Sequence, residues 1–117
     1  MRMIKVRVVL KNIGEPAKVV EIRDDVKSLQ FLIGSPVQIQ RLQHSAYIVM
    51  SETALYKELP PNLIVPLGFL VWAKKGLIYG NVLIVKTIKG KFIDLPDKEI
   101  KWAVNWLNAQ AVKAKVA

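Results

Sequence analysis

Apolar and polar positions alternate almost from the start of the chain. Ile4, Val6, Val8 and Leu10 interleave with Met3, Lys5, Arg7 and Val9, the period of two that lays one face of a strand on a core and turns a basic face outward. Asn12-Ile13-Gly14-Glu15-Pro16 has turn chemistry, and Val19, Val20 and Ile22 propose the returning strand of a β-hairpin over the first 23 residues. The period then becomes helical. Asp24 or Asp25 can cap a short helix whose Val26, Leu29, Leu32 and Ile33 share a face, with Gly34 at its end and Pro36 as a stop, and this helix is expected to lie on the hairpin.

A second hairpin follows. Val37 to Leu42 and Ala46 to Met50 alternate around Gln43-His44-Ser45, with register deciding whether Gln38 and Gln40 or Val37 and Ile39 are exposed. Glu52 to Leu59 fits a turn or two of helix, and Pro60-Pro61-Asn62 reads as a rigid loop that a central strand would not tolerate. Leu67 to Ala73 and Leu77 to Thr87 are strand candidates, with Lys74-Lys75-Gly76 as a hairpin tip between them and Lys89-Gly90-Lys91 as a second turn. The closing segment is the strongest helix: Asp94 can cap it, Pro96 and Asp97 suit its first turn, and Ile100, Ala103, Val104, Leu107 and Ala111 recur at helical spacing.

The order β-β-α-β-β, loop, β-β, α predicts an α+β fold: an antiparallel-rich sheet of about six strands and two main helices, the C-terminal helix packed on the sheet. At 117 residues the chain fits one domain, residues 1–117, and 52% hydrophobic against 23% charged residues puts it among folded chains. The longest apolar run, Leu63 to Ala73, contains Pro66 and Gly68 and is too short for a bilayer, where a helix needs ~20 residues. With no membrane span and no export signal ahead of the first strand, the expected location is the cytoplasm.

Charge changes the picture. Formal net charge is +9, and from Leu59 to Ile93 no acidic side chain occurs while Lys74, Lys75, Lys86, Lys89 and Lys91 do. A strand-forming segment of one sign is suited to an anion, and nucleic acid is the obvious intracellular polyanion. The hairpin tips, with Trp72 and Tyr79 close in sequence, could grip phosphates and stack on bases. Lysines at tips and edges also keep sheets soluble, so the pattern admits both readings.

Catalytic chemistry finds little to work with. His44 is the only histidine and there is no cysteine, which excludes disulfides and thiolate metal sites and leaves a hydrolase triad one possible base in a turn. Asp24-Asp25 and Asp94/Asp97 are each accounted for as helix starts rather than as a catalytic carboxylate pair. The expectation is a protein without enzymatic activity, metal or cofactor. Trp102 and Trp106 fall off the Ile100/Val104/Leu107 face and line up with Lys113. They either wedge into a groove of their own domain or anchor an interface with a second copy or another protein, with stacking on single-stranded nucleic acid as a third role.

The opening strand, Asp25-Val26-Lys27-Ser28-Leu29-Gln30 and Gly34, and Ser51-Glu52-Thr53-Ala54-Leu55 leading to Leu59-Pro60-Pro61-Asn62 carry a resemblance to a known family. The segments Ile78 to Val85 and Phe92 to Ile100 complete it. From Val6 to about Leu107 the chain resembles the phage- and plasmid-associated domain of unknown function 3846. The resemblance implies a small protein of a virus or mobile element and brings no catalytic residues. Together these observations lead to a homo-oligomeric, non-enzymatic protein that binds nucleic acid through its lysine tips, in the host cytoplasm if viral. The alternative is a protein that binds a host protein or a small anionic ligand and counters host defence.

Overall fold

The computed structural model describes residues 5–23, 25–34, 36–43, 46–53, 58–65 and 76–112. Along the chain these form β1 (Lys5–Lys11), β2 (Lys18–Arg23), α1 (Val26–Ile33), β3 (Val37–Gln43), β4 (Ala46–Ser51), β5 (Pro61–Ile64), β6 (Leu77–Tyr79), β7 (Val82–Ile88), β8 (Lys91–Ile93) and α2 (Asp97–Gln110). Among them, six strands make one sheet in the order β2-β1-β7-β4-β3 with β8 also on β7, while β5 and β6 form a separate ribbon. All these pairings are antiparallel, and the α+β class, the six-stranded sheet and the C-terminal helix packed on it are as expected from the sequence, although the described strands number eight and their order between β4 and α2 differs.

Alternation along the strands divides the core between the two faces of the sheet. Val6, Val8 and Leu10 of β1 and Leu83 and Val85 of β7 pack with Leu29 and Ile33 of α1. On the opposite face, Val9, Val82 and Ile84 pack with Ile48 and Met50 of β4, Leu63 and Ile78 of the ribbon, and Ala103 and Leu107 of α2. The sheet is therefore buried on both sides, and the supposedly outward face of β1 is an inner one. Lys5 is exposed, but Arg7 pairs with Asp97 at 3.3 Å, Val9 is buried and Lys11 is buried, because α2 and the ribbon cover that side.

Local chemistry explains the boundaries. Asp25 caps α1 through its Oδ1, which accepts from Ser28 N at 2.7 Å, and the helix ends at Gly34, where φ is 85°. Of the two carboxylates proposed for that cap, Asp25 takes the role and Asp24 lies outside the described residues. The run from Leu77 to Thr87 is not one strand. At Gly80, with φ 81°, the chain turns out of the ribbon and into the main sheet, a left-handed conformation that glycine reaches without a side-chain clash. Pro60-Pro61-Asn62 is likewise not only a loop: Pro61 opens β5, the position in a strand where a missing N–H is tolerated.

Asp94 has a different task from the expected one. α2 begins after Pro96 with no side-chain cap, while Asp94 Oδ1 accepts from Arg7 N at 2.7 Å and Leu95 N donates to Arg7 O at 3.1 Å. β1 pairs with β7 only from Val9 to Lys11, and β8 takes up β7 from Lys86 to Ile88. β8 thus wedges between the diverging halves of β1 and β7, and Asp94 and Leu95 satisfy the backbone of β1 that the divergence would leave open.

The β3–β4 hairpin forms as expected, with a register shift near Arg41. Val37 packs toward α1, whereas Ile39 is exposed, because α1 does not reach that far along the edge strand. The strand expected over Leu67 to Ala73, residues 54–57 of the helix expected over Glu52 to Leu59, and His44 lie outside the described residues, and the described residues at either end of that expected helix are not helical.

Candidate functional site

Strand register, rather than sequence adjacency, assembles a cationic end of the sheet. Lys5 and Arg23 are cross-strand partners. β8 runs parallel to β1 and is tied to it where Leu95 N meets Arg7 O, which brings Lys91 to within a residue or so of the level of Lys5. At strand spacings of ~4.8 Å and a rise of ~3.3 Å per residue, Arg23, Lys5 and Lys91 fall within about 12 Å of one another, comparable with a screening length of ~8–10 Å. Lys89 sits beside them in the β7–β8 turn, where it and Gly90 both have positive φ, 52° and 80°. That is the type I′ hairpin geometry, which points the turn out beyond the sheet.

All four of these cations are exposed. Glu15, Glu52 and Glu58 lie by topology toward the other end of the strands, past Lys11 and Ser51, whereas Glu21 and Asp25 flank Lys5 and Arg23, and Asp94 and Asp97 engage Arg7. The fields of Lys5, Arg23, Lys89 and Lys91 add at this end of the sheet, with Glu21 and Asp25 at its β2 margin offsetting part of them.

Of the residues singled out in the sequence, Lys89 and Lys91 belong to this end. Lys86 does not: its Nζ donates to both carboxylate oxygens of Glu99 at 2.8 and 2.7 Å, under α2. Tyr79 is half-buried in β6, before the turn into β7, which leaves it ~20 Å from the β7–β8 tip at ~3.3 Å per residue. Trp72, Lys74, Lys75 and Lys113 lie outside the described residues. Trp102 and Trp106 stack on each other with ring centroids 6.0 Å apart and planes at 17°, half-buried against the α2-side core. The inward face of α2 is wider than the periodicity implied, with Ala103 and Leu107 at its centre and the tryptophans on one flank.

Sequence reading missed Lys5 and Arg23 as members of the cationic end, because cross-strand neighbours 18 residues apart leave no local signal. It also missed a buried lysine. Lys11 is 3% exposed and Asn62 1% exposed. Lys11 Nζ donates to Asn62 Oδ1 at 2.9 Å and to Asn12 O at 3.0 Å, and Asn62 Nδ2 donates to Lys11 O at 2.8 Å and Gly80 O at 3.0 Å. Burial pushes the Lys11 ammonium below its ordinary range, with the Glu15 carboxylate acting in the opposite direction. A lowered amine pKa can mark a nucleophile, but this Nζ is sealed from solvent and aimed at protein carbonyls, so it joins β1 to the ribbon.

Two further asparagines fix the β1–β2 turn beside it. Asn81 Oδ1 accepts from Ile13 N at 2.8 Å, and Asn108 Oδ1 accepts from Ala17 N at 2.8 Å. The end of the molecule opposite the lysine tips is therefore a hydrogen-bonded seam. Among the described residues there is no group of three or more His, Cys, Asp or Glu able to hold a metal ion, and no helix is long and apolar enough to cross a membrane.

No curated protein and no solved structure matches this chain. A family profile does match, over residues 4–108, spanning the strand that carries Lys11, the corner that carries Asn62 and nearly all of α2. On that match the chain belongs to the family described as domain of unknown function (DUF3846).

Proposed function

We propose that this protein is a non-enzymatic nucleic-acid-binding protein that holds the phosphate backbone at the end of its sheet formed by Lys5, Arg23, Lys89 and Lys91. One observation carries the reading: these exposed cations come from three different elements and a turn, yet register gathers them at one end. Phosphate contacts of this kind give affinity without base readout. The acid-free sequence from Leu59 to Ile93 places further lysines, Lys74 and Lys75, in the chain that supplies the β7–β8 tip. The family resemblance extends the proposal to an origin in a virus or mobile element, with the protein acting in the host cytoplasm.

Anisotropy of labelled single- and double-stranded oligonucleotides, titrated at low and moderate salt, tests the reading. Binding that weakens steeply with salt and is largely indifferent to base sequence supports it. Lys5→Glu, Lys89→Glu and Lys91→Glu combined should abolish it. Absence of binding even at low salt would refute it and favour a protein or small-anion partner.

A further inference from the structure

The outer edge of β2 and the adjoining side of α1 carry a second surface. Among the described residues β2 pairs only with β1. Arg7 turns its N–H and C=O away from β2, toward Asp94 and Leu95. Its cross-strand partner Glu21 is therefore in a non-hydrogen-bonded pair, and the N–H and C=O of Glu21, with those of Val19 and Arg23 by alternation, point outward. Beside this edge lies an open concavity of about 410 Å³ lined by residues that include Ile22, Arg23, Lys27, Phe31 and Leu32. Phe31 is 85% exposed, an unusual position for a phenyl ring on the covering helix of a small domain.

We propose that a second copy of this chain occupies this surface, with the two β2 strands antiparallel about a two-fold axis at Ile22. The charges on the edge select that register. A two-fold at Glu21 would place Glu21 against Glu21 of the second copy, a like-charge pair that opposes association. A two-fold at Ile22 places Glu21 opposite Arg23 of the second copy twice over, and uses the outward backbone groups of both residues. The same charges disfavour indiscriminate edge pairing, so the edge is specific for its own complement. The two α1 helices then lie side by side across the axis, and each Phe31 reaches the concavity of the other copy. A phenylalanine buries ~150–250 Å², so two rings and a short strand pair give an interface at the small, readily reversible end of the range.

The dimer is argued independently of the nucleic-acid reading and is tested without nucleic acid; within it Arg23 is engaged by Glu21 of the second copy, which leaves Lys5, Lys89 and Lys91 for phosphate. Sedimentation equilibrium and light scattering across a wide range of protein concentration should give a monomer–dimer equilibrium. Glu21→Arg or Arg23→Glu alone should weaken association by about tenfold, since each change turns two attractive cross-strand pairs into repulsive ones, and the double exchange should restore it. Phe31→Ser should weaken it as well. Far-UV circular dichroism confirms that each variant is folded. A protein that remains monomeric throughout, or a dimer insensitive to both single reversals, would overturn the proposal.

Discussion

Lys11 and Asn62 close a reciprocal ring between β1 and β5, the amine donating to Asn62 Oδ1 at 2.9 Å and Asn62 Nδ2 donating back to Lys11 O at 2.8 Å. The ring joins the main sheet to the ribbon at the edge of the apolar layer that both contribute to. Asn62→Leu keeps the volume but strips partners from a cation and from the carbonyls of Lys11 and Gly80. It should lower stability by ~3 kcal/mol. Lys11→Met removes the charge together with its desolvation but takes the donor from Asn62 Oδ1, so it should cost ~1–2 kcal/mol, less than Asn62→Leu. Urea unfolding midpoints of the two variants would show the asymmetry.

The same ring sets one limb of the pH dependence. The folded Lys11 pKa is lowered by burial, against Glu15, so between that value and 10.5 the unfolded chain binds more protons than the folded one. Stability from this group therefore rises with pH through that window, and Lys11→Met should remove the rise. Asp25 acts at the other limb. Its carboxyl is held below 3.8, first by the backbone N–H of Ser28, then by the Ser28 side chain and by the charges of Arg23 and Lys27. Its contribution is present above the unfolded pKa and is lost as pH falls through the folded one. Asp25→Asn should flatten the acid limb in thermal melts.

Asp94 substitutes for a strand backbone. Asp94→Ala leaves Arg7 N–H without its acceptor at the point where β8 wedges beside β1. A loss of ~1–2 kcal/mol is expected, and hydrogen exchange should show the Arg7 amide losing protection before its neighbours. Asp94→Asn retains an acceptor oxygen and should keep most of that protection.

Lys86 and Lys91 separate structural charge from available charge. Lys86 is engaged by Glu99 with 15% of its side chain exposed, so Glu99→Gln should destabilise the fold by ~1–2 kcal/mol. Lys86→Gln should leave the salt dependence of oligonucleotide binding nearly unchanged. Lys91→Gln should do the reverse, leaving the unfolding midpoint alone and reducing the salt slope by about one unit.

The fold was legible wherever pattern and punctuation were local. Alternation in β1, the Asp25 cap, the Gly34 stop and the Lys89-Gly90 turn are each specified within a few residues, and each forms as expected. What local pattern could not convey was which faces become covered. Arg7 and Val9 read as an outer face because what meets them there, Asp97 and Leu107 of α2, lies some 90 or more residues away, and the burial of Lys11 had no local signal because Asn62 lies 51 residues on. The break at Gly80 was hidden because both flanking segments, Leu77 to Tyr79 and Val82 to Ile88, are apolar strands. The tryptophans of α2 were judged against a face drawn through Ile100 and Val104, whereas the buried centre is Ala103 and Leu107 and all four of Ile100, Trp102, Val104 and Trp106 pack partly buried around it. Trp102→Ala should accordingly destabilise the fold by ~2–3 kcal/mol, read from its thermal midpoint.

The decisive measurement is the salt dependence of oligonucleotide binding for the parent protein and for the combined Lys5→Glu, Lys89→Glu and Lys91→Glu variant. Parent binding is expected to show a steep logarithmic salt slope and to be abolished in the variant, which should still fold. Binding undiminished in the variant, or no binding by the parent at low salt, would contradict the proposed phosphate binding.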